Sequence, residues 1–333
     1  MGVEERSTRG VDHGEAPAAR PASRMVRGPR RLRPGDTVAL VAPAGPVDPV
    51  RLARGRELLV ELGLEVVIGA HLLDRDGFLA GADTGRAADL QEAWCDPGIA
   101  AVVCARGGYG TTRLLDLLDW EAMAAAEPKI LLGSSDITAL HRAFADRLGV
   151  ATLFGPMPAT VVMGSPGGPD QDSFASLKAA LFEGGHLAPI IGDRLLVPGR
   201  AGGAVVTGPV VGGNLALLAA LCGTPYALRA EGCVVLLEDV TEEPYRIDRM
   251  LTQLRQAGCL DGALGFALGS WVECGDPLPV LAERLAPLGV PVIAGLPVGH
   301  GAPQLSVWMG AYGVIDTELY SLTNMFRDPE AAP

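Results

Sequence analysis

In the first half of the chain, short apolar runs alternate with longer segments whose apolar residues recur at helical spacing. The apolar runs include TVALV at 37–41, IAAVVC at 99–104 and ILL at 130–132, and each leads into a turn that contains glycine or proline. Continuous runs of this kind, alternating with helices, are typical of parallel strands that are covered on both faces. The pattern predicts an α/β fold with a doubly wound parallel sheet. Ligands of such folds bind beyond the carboxyl ends of the strands.

Amino-acid composition and the pattern of apolar residues divide the chain into four parts. Residues 1–33 are rich in Arg, Pro, Ala and Gly without an apolar period, so we expect a disordered tail, in which Met25 is an alternative start. Residues 34–156 form the predicted N-terminal α/β domain, and the Gly- and Pro-rich residues 157–170 form a connector. Strands and helices follow less regularly over 171–328, which predicts a smaller, mixed α/β C-terminal domain.

Composition excludes several classes of protein. The 333 residues carry a net charge of −12, although residues 1–33 hold eight arginines against four acidic residues. The acidic remainder argues against a nucleic-acid partner, which requires a basic face. No run reaches the ~18 apolar residues of a membrane span, and no secretory signal follows the basic start. The six cysteines form no CxxC pair, so we expect free thiols and no metal site. We therefore predict a cytoplasmic protein without a membrane partner.

A Gly-Ser-Ser-Asp turn at 133–136 joins an apolar run to a helical segment. A serine at a sharp strand-to-helix turn has an exposed hydroxyl above the free N–H groups of the helix, which is the arrangement of a nucleophile elbow. The alternative is that Ser134 or Asp136 only caps the helix. Both interpretations are compatible with the local pattern.

A second turn, Arg106–Gly110, follows another predicted strand. Its glycines would allow the backbone to approach a ligand closely, either to cradle a phosphate or to donate N–H groups to an oxyanion. The spacing is not that of a dinucleotide-binding or P-loop motif, so a plain structural turn is an equally good interpretation.

An acid and a histidine complete the set of candidates. Glu238 and Asp239 end an apolar run, where a carboxylate can orient a histidine, although a solvated acidic turn would look the same. Among the five histidines, His300 is the best candidate for a general base because it lies between two glycines just after a predicted strand. Ser135, Glu238 and His300 follow the chain order nucleophile, acid, base that some serine hydrolases use.

Five blocks in this order resemble the LD-carboxypeptidase family of serine peptidases, which includes murein tetrapeptide carboxypeptidases and microcin C self-immunity proteins. The blocks are LAGADTGRAADLQEAWCDPGIAAVVCARGGYG, PKILLGSSDITALH, VVGGNLALLAALCGTPYA, LLEDVTEEPYRIDRMLTQL and GLPVGHG. The resemblance covers roughly residues 34–320. It implies two domains with the active site in the cleft between them, and a homodimer.

The resemblance also assigns roles to single residues. It implies that Ser135 is the nucleophile, Glu238 the acid and His300 the base, and that an oxyanion is bound by backbone N–H groups of Asp136 and Gly108, with Gly107 as the alternative to Gly108. One position departs from the family, which usually has an aromatic residue where this chain has Ser134. Two adjacent serines therefore leave the nucleophile open between Ser134 and Ser135.

The function that the resemblance implies is hydrolysis of a small peptide, the release of the terminal D-alanine from a murein tetrapeptide, without a cofactor. Arg106 and Arg246 are candidates for binding the terminal carboxylate, because a guanidinium can pair with it in a bidentate manner. The alternative for Arg246, which is equally expected, is an ion pair with Glu242 or Asp248 on the surface of a helix.

Two other functions stay open. One is cleavage of an aminoacyl-nucleotide amide, which would need an aromatic shelf, with Trp271, Trp308 and Tyr312 as candidates. The other is a non-enzymatic nucleotide-binding module that uses the Arg106–Gly110 loop.

Overall fold

A computed structural model describes residues 26–183, 187–200, 202 and 204–325. Most of the predicted tail, including Met25, lies outside these residues. The described chain forms two sheets, which have six and eight strands. The predicted α/β fold class, with a parallel-rich first sheet and a mixed second one, is confirmed.

The first sheet consists of five parallel strands and one antiparallel edge strand, in the order β12-β5-β4-β3-β1-β2. Its strands are β1 (Thr37–Val41), β2 (Glu65–Ile68), β3 (Ala101–Cys104), β4 (Ile130–Gly133), β5 (Thr152–Phe154) and β12 (Val307–Met309). Its helices are α1 (Pro49–Glu61), α2 (Asp83–Cys95), α3 (Trp120–Ala125), α4 (Thr138–Arg147), α5 (Val161–Gly164) and α6 (Gln171–Phe182).

Two apolar cores lie on opposite faces of this sheet. Val38 and Leu40 of β1 pack with residues of α1, α5 and α6, whereas Ala39 and Val41 pack with residues of α2, α3 and α4. Successive side chains of a strand point to opposite faces, which is why a continuous apolar run is required here. The sheet is therefore wound on both sides, as the sequence pattern predicts.

The second sheet is mixed and has the order β6-β14-β13-β8-β9-β10-β11-β7. Its strands are β6 (Ile190–Ile191), β7 (Arg194–Val197), β8 (Val205–Asn214), β9 (Val234–Val240), β10 (Gly265–Val272), β11 (Val292–Ala294), β13 (Tyr312–Asp316) and β14 (Ser321–Met325). Its helices are α7 (Leu215–Ala220), α8 (Pro244–Gln256) and α9 (Leu278–Leu285), which cover one face. The other face packs against Phe154 of β5 and Val307 of β12, so the two sheets share a core.

The structure divides the chain differently from the predicted boundaries. Leu32, predicted to lie in the tail, is only 3% exposed and joins the core of the first sheet. The predicted connector 157–170 contains α5, and α6 packs on the first sheet although it lies in the predicted C-terminal domain. The second sheet has eight described strands, against six in the first. An amphipathic pattern shows that a helix is half-buried, but not which sheet it covers.

None of the helices in the described ranges is both long enough and apolar enough to cross a lipid bilayer.

Candidate active site

The turn between β4 and α4 presents Ser135 in a strained backbone conformation. Ser134 is still extended, with a φ of −152°, but Ser135 has a φ of +61°, in the left-handed region. A residue other than glycine in this region costs about 1–3 kcal/mol and is held there by its surroundings. Gly133 allows the turn because a Cβ there would lie 2.6 Å from the Ile137 side chain. The turn therefore has the geometry of a nucleophile elbow, and in the described residues neither the Ser134 nor the Asp136 side chain makes a capping hydrogen bond to the helix that follows.

His300 joins Ser135 to Glu238 across the two domains. Its Nε2 lies 3.2 Å from Ser135 Oγ, and its Nδ1 lies 2.7 Å from Glu238 Oε2. Because a carboxylate only accepts hydrogen bonds, Nδ1 carries the proton, and Nε2 is free to accept the serine proton. Gly299 allows this approach, since a Cβ there would lie 2.4 Å from Glu238 Oε2. The three residues thus form one hydrogen-bonded chain, with Ser135 and not Ser134 at its end.

Two buried carboxyl groups, Glu238 and Asp239, influence the charge of the His300 imidazole. The Glu238 side chain is fully buried, and the neighbouring Asp239 accepts hydrogen bonds from Asn214 Nδ2 and the Ala216 N–H at 2.8 and 2.9 Å. Burial raises the pKa of Asp239 to about 6. Burial by itself would lower the pKa of His300, but the hydrogen bond and charge of Glu238, together with Asp239, raise it above the ordinary value. The site therefore stabilises an imidazolium.

The glycine loop lies directly against the serine. A Cβ on Gly107 would lie 2.8 Å from Ser135 Cβ and 3.0 Å from its Oγ. Gly108 has a φ of +125°, and a Cβ there would lie 2.9 Å from Gly45 Cα. Only glycines fit these two positions, and Gly107 brings the backbone of the loop close to the Ser135 hydroxyl.

Comparison of the sequence with models of known protein families shows which family the chain belongs to. The LD-carboxypeptidase N-terminal domain matches residues 38–155, and the LD-carboxypeptidase C-terminal domain matches residues 207–315. The chain belongs to the LD-carboxypeptidase family. It is therefore a peptidase, and the resemblance stated from the sequence motifs is confirmed.

Individual relatives of this family agree over most of their length. A Streptomyces coelicolor protein whose name places it among carboxypeptidases is 50% identical over 308 residues, which cover 90% of this chain and 96% of that protein. The murein tetrapeptide carboxypeptidase of Pseudomonas aeruginosa is 36% identical over 292 residues, with 84% and 92% covered. A solved structure of the microcin C7 self immunity protein in complex with aspartyl sulfamoyl adenosine has a TM-score of 0.79 and 25% identity, with 92% and 99% covered.

The two arginines predicted from the family resemblance lie in different surroundings. Arg106 is beside the glycine loop, and its Nε and Nη1 donate to the carbonyl oxygens of Gly107 and Pro46 at 3.1 and 3.3 Å. Arg246 lies on the surface of α8, with 47% of its side chain exposed, and it pairs with Glu242. For Arg246, the structure therefore shows the surface pair that was the alternative.

The aromatic residues proposed as a nucleotide shelf do not come together. Trp308 is 1% exposed in the core of the first sheet, and Trp271 is partly buried and packs against the core of the second domain. Tyr312 lines a cavity of about 990 Å³, together with Arg27, Lys129 and other residues. Among the described residues, those lining this cavity include neither Ser135, His300 nor Glu238, so the cavity is separate from the site.

Thr111 and Asp136 form a contact that the sequence did not predict. The Asp136 carboxylate accepts a hydrogen bond from the Thr111 N–H at 2.8 Å and lies 2.8 Å from Thr111 Oγ1. Burial raises the pKa of Asp136, although its hydrogen bonds with Thr111 act in the opposite direction. The contact ties the end of the glycine loop to the residue after Ser135. In the sequence, a threonine directly after a glycine loop is a weak signal for such a role.

Within the described ranges, no three His, Cys, Asp or Glu side chains are grouped so that they could hold a metal ion. All six cysteines are free thiols, and the Sγ atoms of Cys222 and Cys259 lie 3.7 Å apart.

Proposed function

We propose that this chain is a serine LD-carboxypeptidase that releases the terminal D-alanine from murein tetrapeptides. The observation that carries the proposal is the hydrogen-bonded chain from Ser135 through His300 to Glu238. The Pseudomonas aeruginosa relative, which is named a murein tetrapeptide carboxypeptidase, supports the choice of substrate.

The proposed mechanism begins with attack of Ser135 Oγ on the carbonyl carbon of the terminal amide. His300 Nε2 takes the serine proton and then donates it to the leaving amine of D-alanine. A water molecule, deprotonated by His300, hydrolyses the resulting ester. Glu238 holds the imidazole in the required tautomer and stabilises its cation.

Backbone N–H groups stabilise the tetrahedral intermediate in this proposal. The donors are Asp136 at the elbow and Gly108 in the glycine loop, and loss of one such donor typically costs about 3 kcal/mol.

Arg106, beside that loop, is our candidate for binding the terminal carboxylate of the substrate. Arg246 could take this role only by leaving Glu242. A cytoplasmic location and a homodimer stay predictions.

A second candidate function is cleavage of an aminoacyl-nucleotide amide. It is favoured by the fold shared with the microcin C7 self immunity protein, whose solved complex contains aspartyl sulfamoyl adenosine. The same serine, histidine and glutamate would act in it. A third candidate, nucleotide binding without catalysis, would make no use of this hydrogen-bonded chain.

The experiment that separates these functions is a substrate comparison. Purified protein is incubated with murein tetrapeptide or with an aminoacyl sulfamoyl adenosine, and products are followed by mass spectrometry. We expect D-alanine release that is lost in Ser135→Ala, Glu238→Ala and His300→Ala. Turnover of the nucleotide analogue alone would favour the second function, and nucleotide binding without turnover the third. Activity in Ser135→Ala but not in Ser134→Ala would move the nucleophile by one residue.

A further inference from the structure

Ser134, where the family usually has an aromatic residue, makes a specific contact of its own. It is 4% exposed, and its Oγ accepts a hydrogen bond from Gln304 Nε2 at 3.0 Å. Gln304 is 5% exposed and lies in the segment 295–306 between β11 and β12, which also carries His300. The contact therefore joins the loop of the base to the residue that precedes the nucleophile.

The backbone of Gln304 is also held by hydrogen bonds, which lead to the first turn of α6. Its N–H donates to Ser173 Oγ at 2.7 Å, and that hydroxyl in turn donates to Asp170 Oδ1 at 2.6 Å. Asp170 also caps α6 by accepting from the Ser173 N–H at 2.9 Å. Since α6 packs on the first sheet, this chain of hydrogen bonds fixes Gln304 to the first domain.

The other contacts around His300 hold it to the second domain. Glu238 on β9 binds its ring, Ser270 on β10 donates to its carbonyl oxygen, and the Leu305 N–H donates to Pro297 within the same loop. These contacts orient the imidazole within the second domain, and that domain is joined to the first where the Asn214 N–H at the end of β8 donates to Thr138 Oγ1 on α4 at 3.0 Å. The bond between Gln304 and Ser134 acts closer to the two side chains, because it joins the histidine loop itself to the elbow.

We infer that Gln304 is a positioning residue, which docks the histidine loop on the nucleophile elbow through Ser134. The inference rests on the proposed function. Gln304 acts four residues from His300, and Ser134 is the neighbour of Ser135, so their bond fixes the two reacting groups in register. Misplacement of reacting groups by about 1 Å can lower a rate about 100-fold.

The test compares Gln304→Leu, Ser134→Ala and the double variant with the unchanged protein. Ser306→Ala is the matched control, because Ser306 lies in the same loop, is 1% exposed, and its Oγ has no hydrogen-bond partner among the described residues. Two readouts are used, namely kcat and KM for D-alanine release and the rate at which a fluorophosphonate labels Ser135, followed by intact mass. Thermal unfolding shows that each variant is folded.

We expect kcat to fall about 10- to 100-fold in each single variant, with KM changed by less than about twofold, because the contact sets geometry and not substrate binding. The labelling rate should fall in parallel with kcat. The kcat of the double variant should be no lower than that of the less active single variant, because both substitutions remove the same contact. The kcat and the labelling rate of Ser306→Ala should match those of the unchanged protein. Gln304→Leu removes the donor of the hydrogen bond and Ser134→Ala removes its acceptor. If one of these variants does not fold, the other still tests the inference.

Two results would overturn the inference, namely unchanged labelling in the folded variants, or a rise of KM with kcat unchanged. Labelling of the unchanged protein without D-alanine release would contradict the proposed function only, and the labelling rates would still decide the role of Gln304. A protein that neither releases D-alanine nor is labelled would contradict both.

Discussion

The two domains hold the residues of the proposed triad by different physical means. In the first domain, backbone conformation places the serine, with Ser135 at a φ of +61° and Gly107 packed directly against its side chain. On the second-domain side, a fully buried carboxylate, Glu238, orients His300. The comparison indicates that presenting a nucleophile is a local problem of chain geometry, whereas orienting a base requires contacts between distant residues.

Among the residues that support Ser135 and His300, the largest effect is expected on the second-domain side, from Glu238→Gln. The carboxylate only accepts hydrogen bonds, whereas the glutamine NH2 can donate to Nδ1 and favour the wrong His300 tautomer, so kcat should fall about 10³- to 10⁴-fold with KM little changed. Steady-state D-alanine release measures it. Glu243→Gln is the control, because Glu243 is exposed at the start of α8 and its side chain makes no capping hydrogen bond. A loss of less than tenfold would mean that the buried charge does not orient the base.

On the first-domain side, Gly107→Ala should lower kcat by about 100-fold or more, since a misplaced nucleophile reacts slowly. The added Cβ would lie 2.8 Å from Ser135 Cβ, so the loop or the elbow must shift. Gly167→Ala is the control, because a Cβ there meets nothing within 4 Å. Equal activity of the two variants would show that close backbone approach is not required.

The contact between Thr111 and Asp136 allows a finer test of the same side. Thr111→Val keeps the shape and the backbone N–H but loses the hydroxyl, and we expect a roughly tenfold lower kcat and about 1–3 kcal/mol less stability. Thr111→Ser keeps the hydroxyl and should restore both. Kinetics and denaturant unfolding measure the two quantities. If valine and serine variants behaved alike, the hydroxyl would have no part in holding the loop.

The smallest effect concerns the pH dependence. The pKa of His300 is raised, mainly by Glu238 against the opposing effect of burial, so the imidazolium persists above the ordinary titration range. The neutral base is lost as the pH falls through this pKa, and kcat/KM should fall with it. The same shift adds stability below the unfolded-state pKa, and that stability is lost as the pH rises through the folded-state pKa.

NMR titration of the histidine rings measures this pKa directly. In Glu238→Gln the pKa of His300 should decrease, whereas that of His141, which burial lowers to about 4, should not move. An unchanged His300 titration would show that Glu238 does not set the charge of the base.

The same contrast explains what the sequence could reveal. The elbow and the glycine loop were predictable because each is a strand, a turn and a helix within a few residues, a pattern that is visible locally. The contacts between Glu238 and His300, 62 residues apart, and between Ser134 and Gln304, 170 residues apart, have no local signature. The placement of α6 on the first sheet was missed for the same reason, because its apolar stripe does not identify its partner.

The central claim is that Ser135 and His300 act as one unit across the cleft. The most direct test is the rate of D-alanine release in Ser135→Ala, His300→Ala and the double variant, with each protein shown to be folded. We expect each single variant to lose about 10⁶-fold in kcat and the double variant to lose no more, because the two groups serve one proton transfer. Losses that multiply in the double variant, or substantial activity in either single variant, would contradict the claim.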